Sequence, residues 1–228
     1  MHLHPRSLSA TVDAVNNAFF CGEKISVTER RELARWIAAR QALPGAYGQL
    51  FAGFEPERTK GITVFTGERI TSASARHILG EEACRALLLL DSKDREVRDA
   101  LQRATEWLSA RLEQAARDAP RNSPGAYCCG KCTVGLWRHI LAGGLDQQSE
   151  RLTLGVSKLR AARDGEGEWR AFPFWYTVLA LTEMDHPDAR RELKYASARI
   201  TTEATRSPGT TPYAKRRHAV AQRALERL

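Results

Sequence analysis

The chain of 228 residues contains no long apolar run: the longest uninterrupted one is Ala86 to Leu90, far short of the ~18 residues that a membrane-spanning helix needs. No transmembrane helix is expected. The first residues, Met1-His2-Leu3-His4-Pro5-Arg6, lead into a stretch holding Asp13, Asn16 and Asn17, without the apolar core or small-residue cleavage site of a secretory leader. The expected location is cytoplasmic. Strand-like alternation is as scarce, since the single β-like run is Ile62 to Phe65, between Gly61 and Gly67. What remains is an all-α chain. With 43% hydrophobic and 27% charged residues, 16 Gly and 9 Pro, the composition also excludes a disordered or collagen-like chain. The length suits one domain, or one with an appendage.

The charge is uneven. Lys and Arg number 35 against 27 Asp and Glu, a formal +8, and ten basic against four acidic residues lie between Pro187 and Leu228. The body before Pro187 is therefore nearly balanced. A basic tail attracts nucleic acid by counterion release. Here, however, Lys215-Arg216-Arg217 reads as a solvated helix face, and no recognisable nucleic-acid-binding motif accompanies it. Nucleic acid is not expected as a partner.

Apolar residues recur at helical spacing along nearly the whole chain. The spacing predicts helices over 8–20, 27–42, 71–91, 94–117, 131–143, 147–163, 174–185, 188–203 and 212–227. Their ends carry chemical signals: Ser26 and Thr28 as N-caps, Asp94 before Glu96, Gly143-Gly144 as a stop, Asp185-His186-Pro187 as a break. The expected organisation is a repeat domain over 1–203 and a basic C-terminal helix over 204–228, packed on it or extending from it.

Four segments are alike: Trp36-Ile37-Ala38-Ala39-Arg40, Trp107-Leu108-Ser109-Ala110-Arg111, Leu159-Arg160-Ala161-Ala162-Arg163 and Tyr195-Ala196-Ser197-Ala198-Arg199. The first two are followed by the same tetrapeptide, Pro44-Gly45-Ala46-Tyr47 and Pro124-Gly125-Ala126-Tyr127. The repeating unit is a helical hairpin, with one strongly apolar helix, a turn, and a striped helix expected to end in Ala-Arg. A helix apolar nearly all round must be buried, whereas its striped partner can face solvent, so stacked hairpins make two layers.

The loop from Asp164-Gly165-Glu166-Gly167-Glu168-Trp169 through Phe172-Pro173-Phe174-Trp175-Tyr176, running into Thr177-Val178-Leu179-Ala180-Leu181, resembles a repeat of the α/α-toroid proteins. That superfamily holds prenyltransferase and squalene-oxidase repeats, terpenoid cyclases and protein prenyltransferases, in which a Gly/aromatic loop precedes an inner helix. The match covers 164–200, with weaker echoes at 71–111 and 124–163. The resemblance implies antiparallel hairpins forming a partial toroid with inner and outer helices. Four or five hairpins are fewer than a closed toroid contains, which suggests an open half-ring, completed by a second copy in a homodimer. The resemblance stops short of chemistry: the sequence has no Asp-x-Asp-Asp cyclase motif, and the prenyltransferase zinc set does not map onto it.

Three of the five cysteines cluster in Cys128-Cys129-Gly130-Lys131-Cys132, where a loop becomes a helix. A thiol at a helix N-terminus beside Lys131 has its thiolate favoured. Three readings stay open. Cys129 and Cys132 have the spacing of a redox disulfide. Cys128, Cys129 and Cys132 are candidate zinc ligands, completed by distant residues such as His77 or His186. As a third reading they are buried packing residues, as expected for Cys21 and Cys84. Cys129, Cys132 and His139 are the candidate catalytic set.

Phe172, Phe174, Trp175, Tyr176 and Glu82 are the candidate ligand-binding residues, able to wall an apolar pocket at one end of a ring or to form inter-hairpin core. Glu81, Glu82 and Arg85 lie on an otherwise apolar helix, where an acid facing a cavity is a candidate general acid. The leading expectation is a helical-repeat protein that binds a small apolar molecule or a protein partner on its inner face, with no complete catalytic set. The alternative is a zinc- or thiol-dependent enzyme working through the cysteine cluster.

Overall fold

The computed structural model describes residues 2–118 and 125–228. The described chain is all-helical: α1 (Leu8–Cys21), α2 (Val27–Ala38), α3 (Glu55–Lys60), α4 (Ser74–Leu90), α5 (Arg95–Asp118), α6 (Gly130–Leu141), α7 (Gln148–Ala161), α8 (Phe174–Glu183), α9 (Pro187–Tyr195), α10 (Ser197–Thr205) and α11 (Pro212–Leu225). The strand-like run contributes only to a two-residue hairpin, β1 (Ile62–Thr63) and β2 (Arg69–Ile70), paired antiparallel with Ile62 opposite Ile70. Among the described residues, no helix is long and apolar enough to cross a membrane.

Local chemistry sets the ends. Ser7, Ser26 and Thr211 each accept a backbone N–H of the first turn of α1, α2 and α11, and His186 does the same for α9, whose first residue is Pro187. Gly22 closes α1 in the left-handed conformation, φ 69°, that glycine adopts without cost. The short α3 escapes apolar periodicity because it is polar throughout. Its buried Glu57 fixes it, accepting the backbone N–H groups of Phe54 and Ser9, each at 2.6 Å, and so joining α3 to α1.

Burial divides the helices into two kinds. Residues Phe174 to Thr182 of α8 are all buried, and α4 and α6 are buried over most of their circumference. By contrast α5 buries a single stripe, Val97, Ala100, Ala104, Leu108 and Leu112. The largely buried helices α4, α6 and α8 pack in succession, with α1 on α4 and the basic α11 on α8. The striped helices α2 and α5 pack on α4, α7 on α6, and α9 on α7 and α8. Arg216 of α11 then reaches back to α1, placing Nη1 2.9 Å from both Asp13 oxygens and Nε 3.1 Å from Asn17 Oδ1. The succession of contacts thus returns to its start within one chain.

Three expectations are corrected. The predicted helix 188–203 is two, since the chain turns at Ala196 so that α9 packs on α7 and α8 while α10 packs on α11. Arg111 does not end its helix, because Leu112 extends the buried stripe and α5 runs on to Asp118. Lys215 is exposed, but Arg216 and Arg217 are half-buried: Arg217 donates to the Thr66 carbonyl, and Val220, Ala221 and Ala224 on the same helix belong to the core. Of the repeated tetrapeptide, Pro124 lies outside the described residues.

Candidate metal centre

Packing of α4 on α6 brings the first turn of one helix to the N-terminus of the other. His77 of α4 projects Nδ1 toward the cysteine loop, 3.3 Å from Cys128 Sγ and 3.4 Å from Cys132 Sγ. Cys129 and Cys132 sulfurs are 3.6 Å apart, and Ser74 Oγ lies 3.4 Å from Cys129 Sγ. The donor atoms of His77, Cys128 and Cys132 all lie within 4.8 Å of one another. A tetrahedral ion with Zn–S near 2.3 Å and Zn–N near 2.0–2.1 Å has donor–donor edges of about 3.5–3.8 Å. The two nitrogen–sulfur separations are slightly shorter than that range and the sulfur–sulfur one falls within it, so a donor set of this size needs only a small expansion to surround an ion.

The loop is held by its own chemistry. Thr133 Oγ1 accepts the Tyr127 N–H at 2.9 Å and donates within 2.9 Å of the Cys129 carbonyl, folding Cys128 and Cys129 over the start of α6. The His77 ring packs against Tyr47, centroids 3.8 Å apart, and against Tyr127 at 5.3 Å. Burial among these rings pushes His77 down to about 4, leaving a neutral imidazole with a free lone pair at neutral pH. Hydrogen bonds from Cys128 and Cys132 hold the Cys129 thiol far below its ordinary range, and the same bond pushes Cys128 up to about 11. Of the three thiols, Cys129 is thus the one whose thiolate is favoured, at the N-terminus of α6.

The other candidates go elsewhere. His139 is fully buried, with Nδ1 2.8 Å from Glu81 Oε2, and it lies about 10 Å along α6 from Cys132. It therefore does not join Cys129 and Cys132 in one constellation. His186 caps α9 and faces Thr153 at 3.2 Å. Phe172 stacks on Trp137 and borders a groove of about 540 Å³ beside Cys128. Phe174 and Trp175 pack edge to face, with Trp169 stacked on Phe174. Tyr176 faces inward and donates to Glu82 at 2.5 Å. The aromatic residues thus have three separate surroundings.

Glu82 belongs to a buried network built from α1, α4, α6 and α8. It accepts from Arg138, Tyr176 and Asn16, while Glu183 accepts from Arg85 at 2.9 Å and from Arg138 at 3.2 Å. Burial pushes the Glu82 carboxyl up, but Arg138 and Arg85 overturn that and hold it below its ordinary value. Sequence reasoning located Glu82 and Arg85 but missed Arg138, Glu183 and Asn16. The signal was there in part, as charged residues on helices otherwise apolar. Set against family models, curated proteins and solved structures, the chain matches none of them.

Proposed function

We propose that this chain is a toroid-like helical-repeat protein carrying a zinc centre formed by His77, Cys128 and Cys132, with Cys129 beside Cys132. The observation that carries the reading is the convergence of a neutral imidazole nitrogen and thiol sulfurs from two helices at separations close to the edges of a tetrahedral zinc site. These three protein donors would bind α4 to the loop before α6 through the ion. The return of α11 to α1 supports the toroid reading, with α1, α4, α6, α8 and α11 as inner helices.

The test is metal content per chain after purification without a histidine tag or chelator. About one zinc is expected in the parent, and little in Cys132→Ser or His77→Gln. A parent without metal would overturn the zinc reading. The 3.6 Å contact between Cys129 and Cys132 supports a second reading, a thiol pair that closes to a disulfide. Metal-free parent protein that loses two free thiols on mild peroxide treatment would favour it.

A further inference from the structure

At the place where α11 meets α1, a cleft of about 470 Å³ lies between these helices and the β1–β2 hairpin, bordered by His4, Asp13, Asn17, Arg69, Tyr213 and Arg216. It holds more hydrogen-bond donors than the fold uses. Arg216 spends Nη1 and Nε on Asp13, Asn17 and the Phe65 carbonyl, and Nη2 has no hydrogen bond among the described residues. Arg69 commits only Nη2, to the Lys60 carbonyl at 2.8 Å. The Tyr213 hydroxyl and the His4 imidazole likewise have no hydrogen-bond partner among the described residues.

The one carboxylate of the lining, Asp13, is already matched. Both of its oxygens lie 2.9 Å from Arg216 Nη1, so a second guanidinium, Arg69, is left over. Burial also raises the Asp13 carboxyl above its ordinary value, against the pull of Arg216. Arg216 is held in place by these bonds and by the Phe65 ring, 4.4 Å from its guanidinium carbon. Such a fixed guanidinium meets a ligand with little ordering cost. Beyond Asp13 the space narrows to about 20 Å³, lined mainly by apolar residues and ending at Glu82. That is room for a single water, so a ligand stops in the outer cleft.

We propose that this cleft binds the phosphate group of a small molecule, with Arg69, Arg216 and Tyr213 as donors to its oxygens. Two guanidinium groups and a phenol match the several strong acceptor oxygens of a phosphate better than an apolar or cationic ligand. The site is separate from the cysteine cluster and does not depend on its metal.

The experiment is calorimetric titration of the full chain with inorganic phosphate at low ionic strength, in parallel with malonate. Saturable phosphate binding is expected, weakened about tenfold or more in Arg69→Gln and in Tyr213→Phe, with urea midpoints unchanged. Arg95→Gln, at an exposed position on α5 away from the cleft, should bind as the parent does. No saturable heat, or equal losses in Arg69→Gln and Arg95→Gln, would overturn the assignment. Tighter binding of malonate than of phosphate would overturn its choice of ligand.

Discussion

Arg138 is a guanidinium sealed from solvent, and its surroundings explain why it is tolerated there. Glu82 and Glu183 neutralise it, and the Tyr176 ring lies 5.7 Å from its central carbon. Arg85 adds the second positive charge, bonding Glu183, Asn16 and the Arg138 carbonyl. Two arginines thus face two glutamates, and removing one member strands the others. Arg138→Met is expected to destabilise the fold by about 3–5 kcal/mol, the cost of leaving a buried charge uncompensated. Urea denaturation checks this, and replacing Glu82 by Gln in the same chain should recover part of the loss. At this scale the sequence was legible only halfway. Glu81, Glu82 and Arg85 stand out on an apolar helix, but their partners come from α1, α6 and α8, and only packing tells which residues meet. The same holds for the cysteines: the cluster is visible as a string, whereas His77, 51 positions from Cys128, becomes its neighbour only through the α4–α6 contact.

Helices were the most legible level, because apolar periodicity and capping residues act locally. What escaped was decided by neighbours: the turn at Ala196 and the polar α3 fastened by Glu57. The α6–α7 contact shows how closely elements approach. A Cβ on Gly155 would stand 2.3 Å from Trp137 Nε1 and 2.5 Å from the Gly125 carbonyl oxygen, the pair that forms a 2.8 Å hydrogen bond. Neither the indole nor the backbone can withdraw without breaking that bond. Gly155→Ala should therefore cost about 1–3 kcal/mol through overpacking, despite alanine's better helix propensity. A thermal melt of the variant beside the parent measures it, and an unchanged or higher midpoint would show that α7 shifts freely.

For the molecule as a whole, the all-helical class was predictable from the apolar patterns, as was the contrast between the buried α8 and the striped α5. The return of the chain to its own first helix was not, because Lys215-Arg216-Arg217 has the look of a solvated basic run. Nothing in that run announces that Arg216 and Arg223 reach Asp13 and the Phe20 carbonyl on α1. That return contact changes how the protein opens. In an open row of hairpins the terminal units have one neighbour each and fray first. Here α1 lies between α4 and α11, and α11 between α8 and α1, so neither is a free end. Native-state amide exchange should accordingly find α1 and α11 protected to nearly the same degree as α6. Arg216→Gln should speed exchange at both helices together, because it removes the bonds to Asp13 and Asn17 and leaves α11 tied to α1 chiefly through Arg223 and Phe20.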